Sequence, residues 1–133
     1  MRFTVDRLDH LVLHCQDVDI TATWYQRVLG MDREEFGDSQ RTALKFGGQK
    51  LNLRPVGEPT GDWFTSKMVT PGSADLCFIT AVRPQDVMEH LSGCKVPVEL
   101  GPVPKVGALG PMISVYCRDP DGNLIEISSY MTE

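Results

Sequence analysis

The chain of 133 residues is long enough for one domain and too short for two independent hydrophobic cores. Hydrophobic residues make up 41% of it and charged residues 23%, which excludes wholesale disorder and predicts a packed core. The formal net charge of −5 argues against a nucleic-acid-binding surface, and no apolar run is long enough to cross a bilayer. We therefore expect a small acidic protein that binds neither nucleic acid nor membrane.

The N-terminus and the cysteines indicate the compartment. Residues 1–7 lack the apolar core of a secretory signal. No Cys-x-x-Cys pair is present, so neither a zinc knuckle nor a redox motif is indicated. We expect a cytoplasmic protein with reduced, buried thiols. The four cysteines are Cys15, Cys77, Cys94 and Cys117.

The first half of the sequence predicts a strand, a helix and three further strands. Alternating apolar residues predict the first strand over residues 8–15. Asp17 is placed to cap the helix and Gly30 lies just past its end. The predicted apolar stripe of this helix consists of Ile20, Trp24 and Val28, with Tyr25 and Leu29 beside it. The following strands are predicted at residues 31–36, 41–46 and 50–54.

The second half repeats the same order of elements. A strand is predicted over residues 74–80, and Pro84 stands at an allowed position in the first turn of a helix that ends at Gly93. The apolar stripe of this helix consists of Val87, Met88 and Leu91. Strands are predicted at residues 96–100, 112–117 and 124–128, and the turn at 119–122 joins the last two as a hairpin.

This repetition predicts an α+β fold in a single domain that spans residues 1–133. Two βαβββ modules, at about residues 5–54 and 73–130, would pair into one cup-shaped mixed sheet with the helices outside. The linker at residues 55–72 is long for a structureless loop, and such loops often cover a functional site.

Four polar residues fall on the strand faces opposite the predicted core. Side chains alternate across a strand, so apolar neighbours such as Leu11 and Ile125 point to the core while these four point away from it. They occupy matching places in the two halves and would approach one another if the halves pair about a twofold axis. They are His10, Asn52, Asp75 and Glu126.

Several segments, in their order and spacing, resemble the vicinal-oxygen-chelate superfamily, which contains glyoxalases, bleomycin-resistance proteins and dioxygenases. The resemblance covers residues 5–130, and within the superfamily it looks closest to the glyoxalase domain-containing protein 5 group and to bacterial lactoylglutathione-lyase-like or virulence-associated proteins. The segments are Leu8-Asp9-His10-Leu11-Val12-Leu13, Tyr25-Gln26-Arg27-Val28-Leu29-Gly30-Met31, Gly101-Pro102-Val103-Pro104 and Asp119-Pro120-Asp121-Gly122-Asn123-Leu124-Ile125-Glu126-Ile127.

The resemblance implies a divalent-metal site. Metal-dependent members take a His from the first strand, a His from the fifth and a Glu from the eighth, which correspond here to His10, Asp75 and Glu126. Asp75 departs from that pattern, and so does Asn52, because glyoxalase I enzymes often have Glu there. One imidazole and two carboxylates favour Mn²⁺ or Mg²⁺, and His10 also suits Zn²⁺ or Ni²⁺. Glu126 would be the catalytic residue that moves a proton.

Four further residues are predicted to line the substrate pocket. Arg54 shares the strand face of Asn52, where it would either meet a substrate carboxylate or stand as an exposed cation at a sheet edge. Trp63, with Phe64, would cover the mouth of the site or pack at a subunit interface. The four are Asn52, Arg54, Trp63 and Tyr116.

Two functions are consistent with these residues and with the resemblance. The first is a metal-dependent glyoxalase-like lyase or isomerase, acting on a small oxygenated substrate that the metal chelates through two neighbouring oxygens. The second is a small-molecule binding protein of the bleomycin-resistance type, without catalysis. The resemblance also implies a homodimer, with each site formed within one chain or across two.

Overall fold

The computed structural model describes residues 1–131 and divides the chain into two compact units, Met1–Thr70 and Pro71–Glu133. Each unit contains one helix and one four-stranded mixed sheet, so the prediction of an α+β fold is confirmed. Within residues 1–131 no helix is long and apolar enough to cross a membrane.

The first unit has the order strand, helix, strand, strand, strand. Its sheet has the order β1-β4-β3-β2, in which β1 and β4 are parallel and the other neighbours antiparallel. Leu13, Leu51 and Leu53 are buried in its core. The elements are β1 (His10–Cys15), α1 (Val18–Leu29), β2 (Asp32–Phe36), β3 (Arg41–Phe46) and β4 (Gln49–Pro55).

Helix α1 has the ends that the sequence predicts, but a different buried face. The Asp17 carboxylate accepts a hydrogen bond from the backbone N–H of Ile20 at 2.9 Å, and Gly30 has φ +67°, which suits a residue without a side chain. The placing of Ile20 on the apolar stripe is wrong, because 59% of this residue is exposed. The buried stripe runs instead through Thr21, Trp24, Tyr25 and Val28, with Ala22 beside it.

The second unit repeats the topology of the first. Its sheet has the order β5-β8-β7-β6, with β5 and β8 parallel. Val87 and Leu91 of its helix are buried, and so are Val115 and Ile125 of its sheet. The elements are β5 (Asp75–Ile79), α2 (Pro84–Gly93), β6 (Leu100–Gly107), β7 (Gly110–Arg118) and β8 (Leu124–Tyr130).

The strand predicted at residues 96–100 is wrong: β6 runs from Leu100 to Gly107. Pro102 and Pro104 concealed it, because proline lacks the N–H that a central strand requires. Among the described strands β6 pairs with β7 alone, so it is an edge strand of its sheet and tolerates these prolines.

The four cysteines are not all buried as predicted. Cys15 and Cys117 are buried, Cys94 is half-buried and Cys77 is exposed. Strand alternation accounts for the exposure of Cys77, because this residue shares a sheet face with the exposed Asp75 and not with the half-buried Leu76 and Phe78.

Candidate functional site

The second unit contains a cavity of about 410 Å³ on the face of its sheet that carries Asp75 and Glu126. The strand register pairs Glu126 with Tyr116 on one side and with Cys77 on the other. Asp75 lies one same-face position from Cys77 along β5. The cavity is lined by Asp75, Glu99, Leu100, Lys105, Tyr116, Arg118, Leu124 and Glu126.

The hairpin between β7 and β8 fixes the start of β5 and thereby the position of Asp75. The buried Asn123 accepts the backbone N–H of Ala74 through Oδ1 at 2.9 Å, and Leu124 donates its N–H to the Ala74 carbonyl at 3.0 Å. Asn123 is itself held by Asp119, whose carboxylate accepts its side-chain amide at 2.7 Å. Gly72 passes so close that a Cβ there would lie 2.5 Å from the Asp121 carbonyl oxygen.

A cluster of hydroxyl groups holds the Glu126 carboxylate. Ser114 Oγ donates to Glu126 Oε2 at 2.6 Å, a length typical of a charge-assisted hydrogen bond. Ser128 Oγ lies 2.7 Å from Ser114 Oγ and 3.3 Å from Glu126 Oε2, so it can donate to either. Both serines are fully buried. This network fixes the orientation of Glu126 at the wall of the cavity.

Two neighbouring groups keep their protons because of this environment. Burial, together with a hydrogen bond to Glu126 and the negative charge of that residue, raises the pKa of Tyr116 to about 12. Partial burial raises the pKa of the Cys77 thiol, against a lowering effect of the hydrogen bond with Ser128. Both groups are therefore neutral at neutral pH, and Tyr116 can act there as a donor.

The remaining charges at the cavity include an ion pair. Arg118 binds the Glu99 carboxylate through two nitrogens, at 2.7 and 3.1 Å, which lowers the pKa of Glu99. Lys105 Nζ lies 5.9 Å from the centre of the Tyr116 ring. Because Glu99 is paired, Asp75 and Glu126 are the cavity carboxylates that the structure leaves without a cationic partner among the described residues.

In the first unit, His10 stands at the start of β1 with an oriented ring. Its Nδ1 lies 2.9 Å from the Asp9 carboxylate, and this hydrogen bond lowers the pKa of Asp9. With Nδ1 donating to Asp9, the lone pair of the other nitrogen, Nε2, is available to a ligand. Metal-binding histidines are commonly oriented by a carboxylate in this manner.

The other residues predicted for the substrate pocket are placed differently from one another. Asn52 and Arg54 are buried on the same face of β4, at 7% and 1% exposure. The alternative of Arg54 as an exposed edge cation is therefore wrong, because residues 58–63 fold over it and accept its hydrogen bonds. Trp63 is buried with Arg41 stacked 4.1 Å above its ring centre, whereas Phe64 is 90% exposed.

The donor types fit a divalent ion, but neither unit alone holds a full ligand set. His10 belongs to the first unit, whereas Asp75 and Glu126 belong to the second, where both line one cavity. Within the described residues of either unit, no group of three His, Cys, Asp or Glu side chains could hold a metal ion. The metal set that the sequence predicts therefore remains a prediction.

Sequence reasoning missed the serines that hold Glu126. Strand alternation puts Ser128 on the face of Glu126, but it assigns no role to this serine. Ser114 could have been found in the same way, because it is two residues from Tyr116 along β7 and therefore lies on the same face. What the sequence does not give is the pairing of β7 with β8, which puts Ser114 opposite Ser128.

Comparison with known proteins gives close relatives over nearly the full chain. The glyoxalase domain-containing protein RDO1 of Mycosarcoma maydis is 46% identical over 97% of this chain and 71% of its own length. The virulence protein STM3117 of Salmonella typhimurium is 43% identical over 98% of this chain and 89% of its own length. The crystal structure of STM3117 superimposes with a TM-score of 0.89, covering 97% of this chain and 100% of that one.

More distant solved structures share the fold alone. Lactoylglutathione lyase from Agrobacterium tumefaciens has a TM-score of 0.72 at 22% identity, covering 95% of both chains. TnmS3, an antibiotic binding protein from Streptomyces sp. CB03234, has a TM-score of 0.75 at 19% identity, covering 98% of this chain and 100% of its own. The structural neighbours thus include both a glyoxalase-type enzyme and an antibiotic-binding protein.

The family model described as Glyoxalase/Bleomycin resistance protein/Dioxygenase superfamily matches residues 7–127. That span contains nearly all of both βαβββ modules and all of the residues that line the cavity of the second unit. The chain belongs to the glyoxalase/bleomycin resistance protein/dioxygenase superfamily.

Proposed function

We propose that this protein is a divalent-metal-dependent lyase or isomerase of the glyoxalase type. Its substrate would be a small oxygenated molecule that binds the metal through two neighbouring oxygens. The observation that carries the proposal is the second-unit cavity, in which Asp75 and Glu126 lie without a cationic partner among the described residues and Glu126 is oriented by Ser114. His10, Asp75 and Glu126 would hold the metal.

The chemistry follows from the groups at the cavity. A bound Mn²⁺, Ni²⁺, Zn²⁺ or Mg²⁺ would act as a Lewis acid on the substrate oxygens. Glu126 would accept the proton of the hydroxyl-bearing carbon beside the carbonyl and return it to the former carbonyl carbon. The hydroxyl proton would pass to the former carbonyl oxygen, so that the isomerisation balances without net proton transfer to water. Tyr116, whose pKa is raised to about 12, would keep its proton and would donate its O–H to a substrate oxygen in place of Glu126.

Residues of both units enter this proposal. We infer that the protein forms a homodimer, as small relatives of this superfamily do, and that Asn52, Arg54 and Trp63 of the first unit contact the substrate. Two variants test whether one chain or two supply a metal site. If sites form across chains, mixing inactive His10→Ala with inactive Glu126→Ala protein restores metal binding to a fraction of the sites, and if they form within one chain, mixing restores none.

The first test of the proposal is the metal content of the purified protein by mass spectrometry. We expect about one divalent ion for each chain, and loss of that ion in the folded His10→Ala/Glu126→Ala variant. Glu99→Gln is the matched control, because Glu99 lines the same cavity but is paired with Arg118, and it should keep the metal. No binding of Mn²⁺, Ni²⁺ or Zn²⁺ by the wild type after incubation would refute the metal site.

A second candidate function is small-molecule binding of the bleomycin-resistance type. The lining of the same cavity favours it, because the side chains of Leu100, Tyr116 and Leu124 add apolar and aromatic surface beside unpaired carboxylates, which suits an apolar cation. Ligand binding that is unchanged by a chelator and by the His10→Ala substitution would support this function over the enzyme.

A further inference from the structure

Three buried polar atoms on one face of the first sheet lack a hydrogen-bond partner. Within residues 1–131, the buried side-chain nitrogen and oxygen atoms without a hydrogen-bond partner are His14 Nδ1, Asn52 Oδ1 and Arg54 Nε. The parallel register of β1 and β4 sets His14 beside Arg54, and Asn52 is one same-face step away. Because buried polar groups are nearly always paired, three exceptions at one place indicate a shared partner.

Arg54 brings a positive charge to this face. Its guanidinium is always charged, and only 1% of the residue is exposed. Nη2 donates to two backbone carbonyls, those of Glu58 at 2.8 Å and Trp63 at 3.2 Å. No Asp or Glu carboxylate of the described residues lies within ion-pair distance of it. A buried guanidinium without a counter-ion is unfavourable, and an anionic ligand would supply the counter-ion.

His14 can add a neutral donor beside Arg54. Burial lowers its pKa, and the charge of Arg54 lowers it further, so the ring is neutral at neutral pH. Its Nε2 lies 3.4 Å from Thr65 Oγ1 and 3.3 Å from Ser66 Oγ. If Thr65 donates to Nε2, the ring carries its proton on Nδ1, and Nδ1–H is then a second buried, unpartnered donor beside Arg54 in the strand register.

Asn52 adds an acceptor. Its unpaired atom is Oδ1, which requires an O–H or N–H of the ligand. Same-face positions two residues apart on a strand are separated by about 6.6 Å, a distance that the Arg54 and Asn52 side chains can bridge with one small molecule between them. The donors of Arg54 and His14 and the acceptor of Asn52 together suit a carboxylate with a hydroxyl on the adjacent carbon.

We propose that this face of β1 and β4 binds the carboxylate and neighbouring hydroxyl of a 2-hydroxy acid, with Arg54 and His14 on the carboxylate and Asn52 on the hydroxyl. The inference rests on the proposed function in one respect, because it takes this group to be part of the substrate. Residues 58–66 cover the site through their bonds to Arg54 and His14, so this segment must shift for the ligand to enter.

The test uses the full chain after removal of metals with a chelator. The probe is sodium glycolate, with sodium acetate for comparison at constant ionic strength, and the readout is the Arg54 Nε–H signal in ¹⁵N-edited NMR. We expect that signal to shift saturably with glycolate and more weakly with acetate. Arg54→Lys, followed through the Asn52 side-chain amide, should weaken glycolate binding by about tenfold or more, because the charge-assisted hydrogen bond from Nε–H is lost.

Two controls complete the design. Arg33→Gln removes an exposed guanidinium of the same unit that already has two carboxylate partners, and it should leave glycolate binding unchanged. Asn52→Ala should reduce the affinity for glycolate to that for acetate. No saturable shift of Arg54 Nε in the wild type, or equal glycolate affinity in wild type and Arg54→Lys, would overturn the proposal. Because metal is absent throughout, this failure is separate from failure of the metal site.

Discussion

Replacing Ser114 by Ala should destabilise the protein by about 2–3 kcal/mol, a large effect for the loss of one oxygen atom. Ser114 Oγ makes a charge-assisted hydrogen bond of 2.6 Å to Glu126, which contributes about 1.5–3 kcal/mol, and a neutral one of 2.7 Å to Ser128, which contributes about 0.5–1.5 kcal/mol. The sum is reduced because Ser128 keeps Glu126 and Cys77 as neighbours. The assay is urea unfolding at neutral pH.

The same Ser114→Ala substitution in a Glu126→Gln protein tests whether the charge of Glu126 is responsible for the loss of stability. In a Glu126→Gln protein the bond from Ser114 is neutral, so the same Ser114→Ala change should cost about half as much. Ser129→Ala is the matched control, because its hydroxyl donates to the Val82 carbonyl at a more exposed position of β8, the strand of Glu126. Equal losses in the wild-type and Glu126→Gln backgrounds would refute the view that Ser114 acts through the carboxylate.

Three further predictions concern the second unit. Gly72→Ala should destabilise the protein by about 1–3 kcal/mol in urea unfolding, because φ is +92° and a backbone oxygen lies 2.5 Å from the new Cβ, whereas Gly57→Ala, with open space, should be near neutral. Cys77 should react with iodoacetamide more slowly in the folded protein than in urea, despite its exposure, because its raised pKa leaves little thiolate. The rate is measured by mass spectrometry of the Cys77 peptide, and equal rates in the two conditions would contradict the prediction. The raised pKa of Tyr116 means that, between pH 10 and about 12, this group ionises in the unfolded chain but stays neutral in the folded one. Its contribution to the free energy of unfolding is therefore complete below pH 10 and is lost over this window. Tyr116→Phe should flatten that fall. An unchanged slope would contradict it.

The elements with local signals could be predicted from the sequence. Asp17 and Gly30 mark the ends of α1 because a cap and a left-handed turn depend on single residues. The buried face of the helix was harder to predict, because Ile20 is apolar but exposed and Thr21 is polar but buried. Which of two adjacent residues faces the sheet depends on packing, and the period of a short helix does not fix it.

The candidate site, too, could be predicted only where a local pattern in the sequence places the residue. Strand alternation was sufficient to put Asp75, Glu126 and Asn52 on the faces away from the helices. It could not show that Arg54 is buried, because the covering carbonyls of Glu58 and Trp63 come from a loop whose path has no periodic signal. It could not find Ser114 as the partner of Glu126 either, because that contact requires the pairing of two strands.

The two units share one topology but carry different charges at equivalent positions. In both units the last strand pairs in parallel with the first. The register sets Asn52 opposite Val12 in one unit and Glu126 opposite Cys77 in the other. One same-face step further on, the first unit has Arg54 where the second has Ser128. The first unit thus offers donors to an acid group, and the second offers oxygen ligands to a cation.

This division predicts that the two activities can be separated by mutation. Arg54→Lys should weaken glycolate binding by about tenfold or more, followed through the Asn52 side-chain amide. It should leave the metal content unchanged, because Arg54 is not among the proposed metal ligands. Glu126→Gln should reduce metal content and leave the Arg54 Nε response to glycolate in the metal-free protein intact. If either substitution removed both properties from a protein that remains folded, the two modules would not act as separate binding surfaces, and the assignment of acid recognition to one and metal binding to the other would be wrong.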